Sequence, residues 1–186
     1  MSTPSAPSAP STPPDCGIRG LSVNQQLVNP LIYSVENAFK MCELTVRVVG
    51  VTRIPTQLPK CLITGMIGMG GKATGFMTIS LPERVATLSV SGLLQDEFAT
   101  VNSQVVDGIG ELTNIIAGGV KSRLVNSPQW MISTITIPSV IIGGDYSIAY
   151  TKGIEFGSVT FEVDDSDTLS IDDRLFMVTC SLMQLR

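Results

Sequence analysis

The chain has 186 residues, of which 44% are apolar and 15% charged, a composition typical of one globular domain with a buried core. Its net charge of −4 and the lack of a basic stripe interleaved with aromatic side chains argue against a nucleic-acid partner. Histidine is absent, which excludes Ser-His and Cys-His nucleophile pairs and most zinc sites.

Residues 1–17 are rich in Pro, Ser, Thr and Ala, and we predict that they are disordered because they cannot bury enough apolar surface. They contain no apolar stretch typical of a signal peptide, and nowhere does the sequence approach the roughly 20 apolar residues of a membrane span. We therefore expect a soluble, cytoplasmic protein with a single domain over residues 18–186. Its cysteines are widely spaced, and we expect all four to be free thiols: Cys16, Cys42, Cys61 and Cys180.

The first half of the domain begins with a predicted helix over residues 29–43, where apolar residues recur at helical spacing behind an Asn-Pro pair. Residues 44–54 are rich in β-branched side chains and predict a strand. A hairpin follows, with its turn at residues 69–72, and a short helical pattern occupies residues 82–95.

The second half repeats this order of elements. Residues 102–125 have helical periodicity, and three segments with strand-like patterns follow: 130–143, 146–163 and 173–185. The second is either one strand or a strand broken at Gly153. Two helix-plus-three-strand units predict an α+β domain with a mainly antiparallel six-stranded sheet and long helices packed on it.

The helix predicted over residues 102–125 carries a polar stripe. At 100° per residue, Asp107, Glu111, Asn114 and Gly118 lie within about 60° of one another. The opposite side is apolar and is expected to dock on the sheet; it consists of Val105, Ile109, Leu112, Ile116 and Val120. The helix also contains four glycines, each of which costs roughly 1 kcal/mol relative to alanine. From the residues alone, the stripe is either an ordinary solvated face with tolerated glycines or a surface that another protein approaches closely.

The stretch "DGIGELTNIIAGG" resembles the D-x-x-x-E-x-x-N-x-x-x-G signature of the CheC/CheX/FliY family of chemotaxis phosphatases. The single complete copy, the Asn-Pro-containing first helix and the segment "ATGFMTISLPERVATLSVSGLL" before the signature helix are most similar to the CheX members. The resemblance extends from Val28 to the last strand.

This resemblance implies an enzyme that dephosphorylates the aspartyl phosphate of a CheY-type response regulator. Glu111 would form a salt bridge to the regulator's active-site lysine, and Asn114 would orient a water molecule for in-line attack. Asp107 and Gly118 would shape the helix and its clearance for the partner. The resemblance also implies Mg²⁺ on the regulator, no cofactor or metal site on this chain, and a homodimer.

The first half does not carry the signature. When residues 28–40 are laid on residues 106–118, Tyr33 stands at the position of Glu111 and Glu36 at the position of Asn114. We therefore expect one site per subunit. Two other functions remain open: a non-catalytic module with the same fold that binds a regulator or an adaptor, and a flagellar-switch or scaffold component tethered by its N-terminal segment.

Two stretches partly match ligand-binding motifs. Residues 65–73 depart from a phosphate-binding loop because Met66 and Ala73 replace required residues, and they predict a hairpin turn. Residues 162–173 are acidic enough for Ca²⁺, but Leu169 and Ser170 break the EF-hand pattern, which favours a solvated loop.

Overall fold

The computed structural model describes residues 23–54 and 58–185. The segment predicted to be disordered, residues 1–17, lies outside the described residues. The α-helices of the described residues are α1 (Gln25–Met41), α2 (Glu83–Leu94) and α3 (Ser103–Leu124). The strands are β1 (Val46–Thr52), β2 (Cys61–Gly71), β3 (Ala73–Pro82), β4 (Ile132–Ile135), β5 (Ser139–Ile142), β6 (Glu155–Val163) and β7 (Leu175–Gln184). A 3₁₀ turn at Ile171–Asp173 precedes β7.

Helix α1 begins earlier than predicted. Instead of Asn29, Asn24 is the N-cap, and its side chain accepts a hydrogen bond from the backbone two residues further on at 3.1 Å. Pro30 lies inside the helix, where its missing N–H cannot donate to the carbonyl four residues earlier. The added turn places Leu27 and Val28 in the core, and their burial favours the longer helix.

The seven strands of the described residues form one antiparallel sheet with the order β1-β6-β7-β3-β2-β4, and β5 also pairs with β2. The α+β class is confirmed, but the predicted strand count of six is wrong, because the edge strand predicted over residues 130–143 is broken into β4 and β5. Pro138 lies in the break, where its missing N–H cannot join the ladder.

The strand order is symmetrical about the β7–β3 pair, as expected for two helix-plus-three-strand units. The first strand of each half forms an outer edge of the sheet and pairs with the second strand of the other half: β1 with β6, and β4 and β5 with β2. This arrangement places α1 and α3 side by side on one face of the sheet, where they contact each other.

The core lies between the helices and the sheet. At its centre Phe39 of α1 stacks on Phe176 with ring centroids 4.5 Å apart, and Phe176 stacks on Phe161 at 5.2 Å. These three rings are fully buried and join α1 to the two strands β6 and β7.

The segment 143–154 crosses the opposite face of the sheet. The hydroxyl of Tyr146 donates to the hydroxyl of Thr64 on β2, and Tyr150 contacts the rings of Phe76 and Phe156 on β3 and β6. The strand predicted over residues 146–163 therefore forms only from Glu155 onward. The alternating pattern in its first part reflects side chains that turn towards the sheet without backbone pairing.

Three cysteines are free and buried, as predicted: Cys42, Cys61 and Cys180. Burial raises the pKa of Cys42 to about 11 and the pKa of Cys61 and Cys180 to about 12, so these thiols stay protonated at neutral pH. Cys16 lies outside the described residues.

The acidic stretch 162–173 spans the end of β6 and a loop whose carboxylates pair with basic side chains. Asp165 accepts a hydrogen bond from Arg84 at 3.1 Å, and this pairing holds the pKa of Asp165 below its usual range. Asp173 forms an ion pair with Lys60 at 2.8 Å. The contacts tie the loop to α2 and to the start of β2.

No helix in the described part of the chain is both long enough and apolar enough to cross a membrane.

Candidate functional site

The polar stripe lies on α3, the longest helix. Asn102 caps its N-terminus by accepting a hydrogen bond from the backbone N–H of Val105 at 3.0 Å, and Lys121 and Arg123 lie in the last turn, where they complement the helix dipole. The predicted apolar face is completely buried: Val105, Ile109, Leu112, Ile116 and Val120 all have zero exposure. Burial of this face fixes the direction in which the stripe points.

Two of the four glycines in α3 allow close helix packing. A Cβ at Gly108 would lie 2.6 Å from a methyl group of Val90 on α2, and a Cβ at Gly119 would lie 2.8 Å from the hydroxyl of Ser34 on α1. Both distances are shorter than van der Waals contact, so α1 and α2 approach α3 only because these side chains are missing. The fold therefore explains half of the glycines.

The other two glycines lie towards the exposed side. A Cβ at Gly118 would have no neighbour within 4 Å, and a Cβ at Gly110 would make an ordinary 3.8 Å contact with the ring of Pro138. Packing within the chain therefore does not require glycine at either position. At Gly118 the surface of α3 has an open notch.

The predicted site residues lie together on this open side. Asp107 and Glu111 are exposed, and Asn114 is half-buried. Glu111 and Asn114 are three positions apart, which on a helix means about 60° of rotation and about 4.5 Å of rise. Within residues 23–54 and 58–185, neither side chain has a hydrogen-bond or ion-pair partner. A carboxylate and a carboxamide thus project from one convex surface with their polar atoms available.

The chemistry available to this surface is positioning and charge. A carboxylate can pair with a cation, and a carboxamide can accept one hydrogen bond through its oxygen and donate through its nitrogen. The described residues contain no group of three or more His, Cys, Asp or Glu side chains arranged to hold a metal ion.

The equivalent stripe on α1 has a different environment. Tyr33, Glu36 and Lys40 are exposed, and the guanidinium of Arg123 lies 3.1 Å from the centre of the Tyr33 ring. Hydrogen bonding from Asn37 and then from Arg123, together with the charge of Arg123, lowers the pKa of Tyr33. Tyr33, which stands at the position of Glu111, is thus covered on one ring face by Arg123 of the same chain. The sequence did not predict this contact.

A second feature that the sequence analysis missed is the edge of the sheet beside α3. The break between β4 and β5 brings Pro138 against Gly110, and the neighbouring Ile137 is 88% exposed. A proline within a strand pattern was the available signal, because proline in a sheet is confined to edges and irregularities.

Comparisons with known proteins agree with this architecture. The sequence model of the family described as chemotaxis phosphatase CheX matches residues 63–162. The solved structure of the chemotaxis protein CheX from Vibrio vulnificus is 25% identical, with a TM-score of 0.69 over 84% of this chain and 99% of that chain. A CheC-like superfamily protein from Shewanella sp. PV-4 is 23% identical, with a TM-score of 0.68 over 86% of this chain and 99% of that one.

A third structure with this fold is the CheX-CheY-BeF₃-Mg²⁺ complex from Borrelia burgdorferi, which is 19% identical, with a TM-score of 0.68 over 84% of this chain and 97% of the matched chain. A comparison with curated proteins found no match. The segment matched by the family model contains α2, α3 and both members of the Glu111–Asn114 pair, and it covers more than half of the sequence. This chain therefore belongs to the CheX family of chemotaxis phosphatases.

Proposed function

We propose that this chain dephosphorylates the aspartyl phosphate of a CheY-type response regulator. The observation that carries the proposal is the pair Glu111 and Asn114, which projects from one exposed face of α3 without side-chain partners among the described residues. Membership of the CheX family and a complex of a similar protein with CheY support the same partner class.

Glu111 acts in docking. Its exposed carboxylate pairs with the regulator's active-site lysine and aligns α3 with the phosphorylated pocket, and it breaks no existing ion pair within the described chain when it does so. Asp107, one turn earlier, and Gly118, one turn beyond Asn114, shape the rest of this surface.

Asn114 acts on the water. Its carboxamide oxygen accepts a hydrogen bond from a water molecule and holds that water in line with the bond between phosphorus and the aspartate oxygen. The water oxygen forms a bond to phosphorus, and the bond between phosphorus and the aspartate oxygen breaks with its electron pair going to the aspartate carboxylate. The two protons of the water leave with inorganic phosphate as H₂PO₄⁻, or one of them passes to solvent. An acyl phosphate is already labile, so positioning is enough and no histidine is needed.

Mg²⁺ bound in the regulator supplies positive charge to the phosphoryl oxygens. On this chain the proposed chemistry uses no metal or cofactor. With this activity we also propose a cytoplasmic location for the chain.

The direct test is to phosphorylate candidate regulators with a small-molecule donor and follow phosphate release with and without this chain. Acceleration by the wild type supports the proposal. Binding of the phosphorylated regulator without acceleration would instead support the non-catalytic module.

For Glu111→Gln we expect KM for the phosphorylated regulator to rise about tenfold and its dependence on salt to weaken, because one charge pair across the interface is lost. Steady-state kinetics at two ionic strengths measure both effects. The matched control is Glu36→Gln, which makes the same change at an exposed position of α1. Equal effects of the two substitutions would contradict the role of Glu111.

For Gly118→Ala we expect opposite effects on stability and activity. The free energy of unfolding should rise by about 1 kcal/mol, because alanine favours the helix and its methyl group meets no neighbour. Hydrolysis should slow, because the methyl group fills the notch beside Asn114. Urea denaturation and phosphate release measure the two effects.

Gly119→Ala is the control for this prediction, because its methyl group would collide with Ser34 and should lower stability. Full activity in a more stable Gly118→Ala variant would show that the notch has no role in docking.

We also propose a homodimer. The sheet has two edges, and along β1 three valines are at least one-third exposed: Val48, Val49 and Val51. Open sheet edges favour pairing with another chain. Light scattering at micromolar concentration gives the mass directly, and a monomer would contradict this assembly.

A further inference from the structure

We propose that Ile137 is an apolar contact for the phosphorylated receiver domain, at the rim of the Asn114 site. The inference rests on the proposed function and adds to it a residue outside the signature helix. It follows from how the break between β4 and β5 is built and from where that break lies.

The break is held in a defined geometry. The backbone N–H of Thr136 donates to the carbonyl of Gly68 at 3.0 Å, and its hydroxyl accepts from the N–H of Gly68 at 2.9 Å. A Cβ at Gly68 would lie 2.9 Å from the Thr136 methyl group, so the contact requires glycine on β2. The hydroxyl of Thr136 thus takes the place of a backbone carbonyl in the hydrogen bonding to β2. Beyond Thr136 the chain leaves the edge of the sheet.

The chain beyond Thr136 turns towards α3. Pro138 lies 3.8 Å from the Cβ position of Gly110, which is about 40° from Asn114 around the helix axis and about one turn before it. On the other side of the stripe, Gly108 and Gly119 face α2 and α1. The proposed catalytic face therefore lies between two helices on one side and this break on the other.

The side chain of Ile137 contributes little to the packing of the described chain. Its exposure is 88%, whereas Ile135 and Val140 on either side pack against the core. A partner that places an acyl phosphate against Asn114 comes close to this break, where Ile137 offers it a large exposed apolar side chain. Burial of this one isoleucine against the partner supplies affinity that does not depend on the phosphoryl group.

The test compares Ile137→Ser, Ile137→Leu and the control Ile142→Ser, which makes the same change at a 63% exposed position on β5. The readouts are Kd for a beryllofluoride-activated regulator, together with KM and kcat for its phosphorylated form. We expect Ile137→Ser to raise Kd and KM about tenfold with kcat nearly unchanged. Ile137→Leu and Ile142→Ser should resemble the wild type.

The proposed contact would be wrong if Ile137→Ser had the wild-type Kd and KM, or if Ile142→Ser weakened binding as much as Ile137→Ser. It would also be wrong if Ile137→Ser weakened binding by changing the oligomeric state, which light scattering on the same samples detects. A wild-type chain that binds the regulator without hydrolysis would overturn the proposed function alone, and Kd would then decide the role of Ile137. A wild-type chain that does not bind would overturn both proposals.

Discussion

Replacing Asn114 with alanine is expected to slow hydrolysis of the regulator's aspartyl phosphate about a hundredfold or more, while binding of the regulator is retained. The loss is large because the carboxamide is the group proposed to position the attacking water, and removal of a single positioned polar group costs about 10²–10³ in rate. Single-turnover phosphate release measures the chemical step, and Kd for the beryllofluoride-activated regulator measures docking.

Asn126→Ala is the matched control for this substitution, because Asn126 is exposed and lies just beyond α3. It should hydrolyse the phosphorylated regulator at the wild-type rate. Asn114→Asp adds a stricter comparison, since it keeps the shape of the side chain but removes the N–H₂ donor and adds a negative charge. Full activity of Asn114→Ala would rule out the proposed mechanism.

The second large effect concerns stability. Gly92→Ala is expected to lower the free energy of unfolding by about 3 kcal/mol and the melting temperature by roughly 6 to 12 °C. A Cβ at Gly92 would lie 1.9 Å from the backbone oxygen of Cys42, the C-cap of α1. Backbone at a helix end cannot move aside as a side chain can, so α2 must shift away from α1.

Gly118→Ala provides the comparison, because it makes the same change in a helix where the methyl group meets nothing. Thermal and urea denaturation of the two variants should move in opposite directions from the wild type. An unchanged melting temperature for Gly92→Ala would show that the contact with Cys42 can relax at little cost.

The helices were predictable from the sequence because apolar spacing determines which residues can be buried, and α2 and α3 lie within one residue of the predicted bounds. The start of α1 was placed too late, because Pro30 was interpreted as a first-turn residue. Its position inside the helix depends on tertiary burial of Leu27 and Val28, which local pattern does not reveal. The strand break at Pro138 was missed for the same reason, since alternation does not show whether a backbone partner exists. For the segment 146–163, Gly153 had marked the place of a break, and pairing begins just after it at Glu155.

The sequence was enough to predict which side chains of the candidate site share one face of α3. Four positions at helical spacing define a stripe in any α-helix, and burial of the opposite face makes that stripe exposed. Helical spacing does not show which distant segments of the chain pack against the helix, so those contacts could not be predicted. The stacking of Arg123 on Tyr33 joins α3 to α1, and the approach of Pro138 to Gly110 joins a sheet edge to α3.

The exchange of edge strands between the two halves has a consequence for how the molecule must fold. Arg47 on β1 meets its ion-pair partner Glu162 on β6 across 115 positions of sequence, so the first repeat cannot complete its own sheet. During synthesis β1 has no partner strand until β6 has been made, near the end of the chain. Pairing between strands so far apart in sequence slows folding. Neither repeat is therefore a self-sufficient folding unit, and separation of the two by cleavage would leave each with an unpaired strand and an uncovered core.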